Sequence, residues 1–110
     1  MTATGMEGTG VYDTINATGT LIIRGAGELS LIELQGIARL AAQERREGRR
    51  VLVDLRRVQH LHYAGAGFLR SATGVRVVGA SPYVRDLMLA GGAGGFVELY
   101  DDVEEALRAA

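Results

Sequence analysis

His60 and His62 are the two histidines of the chain, set two residues apart in Gln59-His60-Leu61-His62-Tyr63. In extended backbone, positions i and i+2 share a face, so imidazoles at this spacing could ligate one metal ion together. A closed structural site needs about four ligands, and the motif holds neither a cysteine nor a carboxylate to supply them. The simpler expectation is one locally hydrogen-bonded imidazole and one exposed one, with no metal and no other cofactor. An exposed His62 would still give a contact that responds to pH near neutrality. Tyr63 is either an aromatic anchor of the kind enriched at interface hot spots or a ring folded back over the following helix. Ser30 and Ser81 stand in no nucleophile motif and each precedes a helical pattern, so both read as caps. Gly91-Gly92-Ala93-Gly94-Gly95 imitates a phosphate loop without its lysine, and the chain has no lysine at all. It reads as a connector between a helix and a strand. No carboxylate pair, triad or metal cluster can be assembled from spacing, so no enzymatic activity is expected.

These residues need a scaffold, and the composition allows one. The chain has 110 residues, 47% of them hydrophobic, a length and balance suited to one domain with its own core. No apolar run approaches the roughly 18 residues of a membrane span. Met1 to Gly10 is small, polar and aperiodic, which reads as a flexible tail and not as a secretory signal, leaving residues 11–110 as the domain. The absence of cysteine excludes a disulfide framework and suits a reducing cytoplasm. Formal net charge is −1, and all the basic residues are arginine. The cluster Arg45-Arg46 and Arg49-Arg50 is interleaved with Glu44 and Glu47, so it reads as a solvated helix end and not as a nucleic-acid surface.

Hydrophobic patterning supplies the elements. Val11, Tyr12 and Ile15 suggest a first strand, Asn16 to Gly19 a turn, and Thr20 to Arg24 a second strand ending at Gly25 and Gly27. Ser30 and Glu33 form a capping box, and Leu31, Leu34, Ile37, Ala38 and Ala41 predict the buried face of a helix that stops near Gly48. Val51 to Leu55 reads as a buried strand in which Asp54 is the one charged interruption. A short crossover predicts a helix of about two turns over Ala66 to Thr73. Val75 to Val78 makes a strand, and Ser81-Pro82 starts a helix carrying Val84, Leu87 and Met88. Phe96 to Tyr100 reads as the last strand, with Asp101 and Glu104 capping a final helix. The order ββαβαβαβα predicts an α/β fold, a four- to five-stranded mixed sheet covered by helices, the second helix being short.

This succession resembles a STAS domain, the fold of bacterial anti-sigma factor antagonists. The matching landmarks are Gly27-Glu28-Leu29, the strand Val51 to Leu55, Gly65-x-Gly67 before Phe68-Leu69, Val77 to Pro82, Val84 to Leu87, and the ending Tyr100 to Leu107. The resemblance implies partner switching, in which an unmodified antagonist binds an anti-sigma kinase and phosphorylation of one serine releases it. That serine precedes the glycine of an Asp-Ser-Ser-Gly-like motif. The corresponding residues here are His62-Tyr63-Ala64-Gly65, so Ala64 stands at the acceptor position and offers no hydroxyl. A phosphate there would add about two negative charges to a contact surface.

The expectation is therefore a non-enzymatic, cytoplasmic interaction module whose binding is constitutive or regulated in another way. Its partner surface would comprise His62, Tyr63, Ala64, Gly65, Ala66, Gly67 and Phe68, with Ser81 and Tyr83 from the loop before the third helix. The resemblance points to an anti-sigma or histidine-kinase-like ATPase, another STAS protein, or the ATPase of a transporter complex of which this chain would be the STAS subunit. Neither nucleic acid nor membrane insertion is expected, and the free edge of the first hairpin leaves room for a homodimer. The competing expectation is a sensor binding a small anion or nucleotide at the helix N-terminus after Gly65. Nothing in the sequence favours phosphorylation at Tyr63, Ser71 or Thr73.

Overall fold

Val11–Ala17 (β1) and Thr20–Leu29 (β2) form an antiparallel hairpin in the computed structural model, which describes residues 10–17, 19–71, 74–92 and 97–108. Residues 1–9, read as a tail, lie outside the described residues. Gly10 is already buried, and a side chain there would collide with the Glu28 carbonyl and Leu29. The strands run closer to the turn than the sequence suggests, from Ala17 directly to Thr20. β2 also continues through Gly25 and Gly27 instead of ending there. Gly27 sits at φ +79° beside a register shift, a left-handed backbone that only glycine adopts without strain.

The helix Leu31–Arg46 (α1) begins with the capping box expected. Glu33 accepts from the Ser30 backbone N–H at 2.7 Å, and Ser30 Oγ accepts from the Ile32 N–H at 3.3 Å. Leu34, Ile37, Ala38, Ala41 and Ala42 form its buried face. Leu31 departs from the expectation. It sits at the first helical position, overhangs the core and is 40% exposed. Gly36 leaves room for Tyr12 of β1, whose hydroxyl occupies the space a Cβ would need.

The strand Arg50–Leu61 (β3) is the central element, and it is far longer than the Val51 to Leu55 read from the pattern. Against β2 it carries two register shifts. Arg24 and Ala26 pair with Asp54 and Arg57, while Gly27 and Glu28 pair with Val58 and His60. Each shift inserts one extra residue into β3, so Leu55, Val58 and Leu61 all enter the core although three residues separate them. The short helix Tyr63–Ala66 (α2) follows and passes into a 3-10 turn over Gly67–Ser71. The helical segment therefore starts three residues before the Ala66 expected. Thr73, which the reading included, lies outside the described residues.

Val75–Val78 (β4), Pro82–Ala90 (α3), Val97–Tyr100 (β5) and Val103–Arg108 (α4) complete the chain. Ser81 caps α3 as expected, its Oγ accepting from the Val84 N–H at 3.1 Å. The cap of α4 falls one residue later than read, with Asp102 accepting from the Glu105 N–H at 2.7 Å. Phe96 and Ala93 to Gly95 lie outside the described residues.

The five strands lie in the order β1-β2-β3-β4-β5, the last four parallel. One face is covered by α1, α2 and α3, which close the main core over Leu21, Ile23, Val51, Val53, Val75 and Val77. On the other, α4 seals only a small cluster of Ile22, Leu52, Val78 and Ala106.

Candidate partner-binding surface

The site is set by how β3 ends. The His62 N–H donates to the Leu29 carbonyl at 3.0 Å, which ties the end of β3 to the end of β2. His62 then caps α2 with extended backbone angles, and its Nδ1 accepts from the Ala64 N–H at 3.2 Å. The Gly65 N–H donates to the His62 carbonyl at 2.9 Å. Gly65 thus lies inside the first turn of α2 and not before it, and its N–H is already used. The donor set imagined for an anion after Gly65 is largely satisfied within the turn itself.

Gly65 is demanded by space. A Cβ on it would stand 2.5 Å from Leu34 Cδ1 and 3.0 Å from Leu34 Cβ. On the opposite side Gly91, at the end of α3, faces the Tyr63 carbonyl and the Ala66 methyl at a distance that excludes a side chain. Gly67 abuts the Gly91 carbonyl, 3.1 Å from where its Cβ would be. The run Ala64-Gly65-Ala66-Gly67 is therefore a thin wedge between α1 and α3. Gly65 and Ala66 are buried in that wedge, while Ala64 faces solvent.

What the wedge displays is apolar and aromatic. Tyr63 is 55% exposed and stacks on His62, ring centroids 5.5 Å apart. Tyr83, on the first turn of α3, is 54% exposed and stacks on His60 at 5.7 Å, its hydroxyl 2.7 Å from His60 Nδ1. The two histidines are thus spoken for separately: His62 as a cap beneath Tyr63, His60 as a strut for Tyr83. Among the described residues no group of three or more histidine, aspartate or glutamate side chains is placed to hold a metal. Phe68 is partly exposed on the 3-10 turn, and no residue from His62 to Phe68 carries a formal charge. Ser81 is exposed at the start of α3, its Oγ accepting from the Val84 N–H as the cap.

Two residues that the sequence reading did not assign to this surface lie beside it. Leu31 reaches the wedge, its Cδ2 3.3 Å from where a Gly65 Cβ would lie, and its neighbour Ile32 is the most exposed large apolar residue described. A signal existed, because Ile32 falls off the stripe of Leu34, Ile37 and Ala41 and so could not enter the core with them.

No family model matches the sequence, and no curated protein sequence matches it significantly. Solved structures do. An anti-sigma factor antagonist from Mycobacterium paratuberculosis superposes with a TM-score of 0.72 at 19% identity, over 90% of this chain and 92% of that one. The antagonist SpoIIAA in its unphosphorylated form gives 0.64 at 18% identity, covering 88% of this chain and 94% of that one. The phosphorylated form of the Bacillus cell fate determinant SpoIIAA gives 0.63 at 19%, covering 88% and 96%. These superpositions cover 88–90% of this chain: it has the STAS fold of the anti-sigma factor antagonists.

Proposed function

We propose that the chain is a non-enzymatic, cytoplasmic protein-interaction module that binds a partner through the wedge His62 to Phe68 and the adjoining Tyr83, without the covalent switch of its structural neighbours. The observation that carries this reading is the uncharged aromatic surface of Tyr63, Tyr83 and Phe68, held on buttressing histidines and flanked by Leu31 and Ile32. Large exposed aromatics on a rigid support lose little side-chain entropy on binding and so make effective anchors. SpoIIAA is a protein with both phosphorylated and unphosphorylated forms. Ala64, exposed at the position that resembles the acceptor serine, carries no oxygen to receive a phosphoryl group. Binding here is then constitutive or governed by the partner. An anti-sigma or histidine-kinase-like ATPase domain is the proposed partner.

The test uses the full chain as bait in its own cell extract, beside Tyr63→Ala, Tyr83→Ala and the remote control Arg39→Ala. An ATPase-domain partner retained by wild type and the control, but lost by the tyrosine variants, is the expected result. Retention in all variants overturns the surface, and capture of a transporter ATPase moves the partner from sigma-factor control to transport. A phosphoryl group found by mass spectrometry anywhere from residue 62 to 67 overturns the constitutive reading.

A further inference from the structure

The second face of the sheet is only half covered. α4 seals Ile22, Leu52 and Val78, and beyond it a groove of about 540 Å³ opens over β1, β2 and β3. Five charged side chains line it, Asp13, Arg24, Asp54, Arg56 and Arg57, with Val11 as an apolar wall. Two of the arginines are held in forks. Arg24 donates to both oxygens of Asp13 at 2.9 Å. Arg56 donates to both oxygens of Asp54 at 2.7 to 3.1 Å, and Asp54 is 5% exposed. Gly79, at φ +73°, leaves space that the stem of Arg56 fills, so this guanidinium is braced from two sides. Arg57 is different. Among the described residues it makes no hydrogen bond or ion pair, and it faces solvent.

The backbone brings this about deliberately. Strict alternation would send either Arg56 or Arg57 into the core. The inserted residue of the first register shift instead turns both toward the open side, while Leu55 and Val58 enter the core on either side. Bulges that re-aim side chains are a common device next to binding sites. The groove also lies where β3 runs on past its pairing with the end of β4, Asp54 opposite Val78. The carboxyl ends of parallel strands are the usual ligand side of an open α/β sheet. Three guanidinium groups therefore line the groove with two carboxylates, while Asp102 acts on Arg56 from outside the lining and Arg57 acts on Asp13 through space; Arg57 alone of the three makes no hydrogen bond among the described residues, and it stands beside an apolar wall.

We propose that this groove binds a small soluble organic oxyanion, a carboxylate or phosphate monoester with an apolar body, with Arg57 as its direct ligand. Arg24 and Arg56, fixed by Asp13 and Asp54, offer donors on either side, and the apolar body lies against Val11. The site is separate from the wedge at Tyr63, so its fate does not depend on the partner reading.

Amide resonances of the full chain are followed during titration with phenyl phosphate, with benzoate, and with uncharged benzyl alcohol, at about 0.15 M salt. Saturable shifts at Val11 to Asp13 and Gly25 to Ala26 are expected with at least one of the anions and not with the alcohol. Losing a charge-assisted hydrogen bond in Arg57→Gln should weaken binding at least about tenfold, whereas Arg39→Gln on α1 leaves it unchanged. Because Arg57 is exposed and makes no hydrogen bond among the described residues, the variant keeps its fold, which its thermal melting checks. Absence of saturable shifts with both anions, equal shifts with the alcohol, or unchanged affinity in Arg57→Gln overturns the site. Sedimentation with phosphatidylglycerol vesicles, dependent on Arg57 but without binding of either soluble anion, would overturn the soluble ligand in favour of a lipid headgroup.

Discussion

Replacing Gly65 by alanine tests whether the wedge is as tight as its geometry says. The new methyl would lie 2.5 Å from Leu34 Cδ1, which can swing, and 3.0 Å from Leu34 Cβ, which is anchored to α1. Overpacking of this kind costs about 1–3 kcal/mol. Against it stands the gain of about 0.5–1 kcal/mol from removing a flexible glycine in a helix. The net expectation is a loss of roughly 0.5–2 kcal/mol. With a urea m-value of about 1–3 kcal/mol/M, the midpoint falls by about 0.2 to 2 M. The decisive comparison is with Leu34→Ala, which alone should cost about 2–5 kcal/mol. In that background the 2.5 Å contact with Cδ1 is removed while the Cβ at 3.0 Å stays, so the effect of Gly65→Ala should shrink by about 1 kcal/mol. Urea unfolding followed by circular dichroism on the four proteins closes the cycle. Additivity within about 0.5 kcal/mol, or a rise in midpoint for Gly65→Ala alone, would refute the close approach of α2 to α1.

Other perturbations reach different parts of the fold. Burial pushes the Asp54 carboxyl upward, but hydrogen bonds from the Arg56 side chain and amide outweigh it and hold the group below its ordinary value of 3.8. Its contribution is therefore complete above the unfolded value and is lost as pH falls through the lower folded one. Asp54→Asn should cost about 1–3 kcal/mol near neutrality and flatten the acid limb of a stability–pH profile; an unchanged acid limb would show that Asp54 is not charged in the fold. Ser81→Ala removes the cap of α3 and should cost about 1 kcal/mol, with Ser81→Asp restoring most of it. Equal melting temperatures for all three would place the start of α3 elsewhere.

Much of this architecture was legible because local chemistry and global packing agree. The Ser30–Glu33 box, the α1 stripe and the Ser81-Pro82 start are local signals that packing left intact. The sequence hid β3 because its two inserted residues replace a period of two with a spacing of three between Leu55, Val58 and Leu61. A pattern search stops at Leu55 for that reason, and the segment beyond resembles a loop. The same shift concealed the arginine groove, whose members only share a face after a bulge that no residue type announces. The crowding at Gly65 was not legible, since glycine in a sequence signals freedom more readily than close packing. Tyr63 was recognised as exposed or folded back, and only its stacking on His62 decides between them. Leu31 shows the reverse error: an apolar residue in phase with a stripe is buried only if the core extends as far as the helix tip.

The order of the strands in the sheet has a consequence for how the molecule is made. Each strand lies beside the one synthesised just before it, and no later segment must be threaded between two earlier ones. Contacts between neighbouring strands therefore span one hairpin or one crossover, which keeps loop-closure costs low and favours rapid folding. A chain leaving the ribosome can extend its sheet one strand at a time, with the hairpin as the template and α4 arriving last as the lid of the second face.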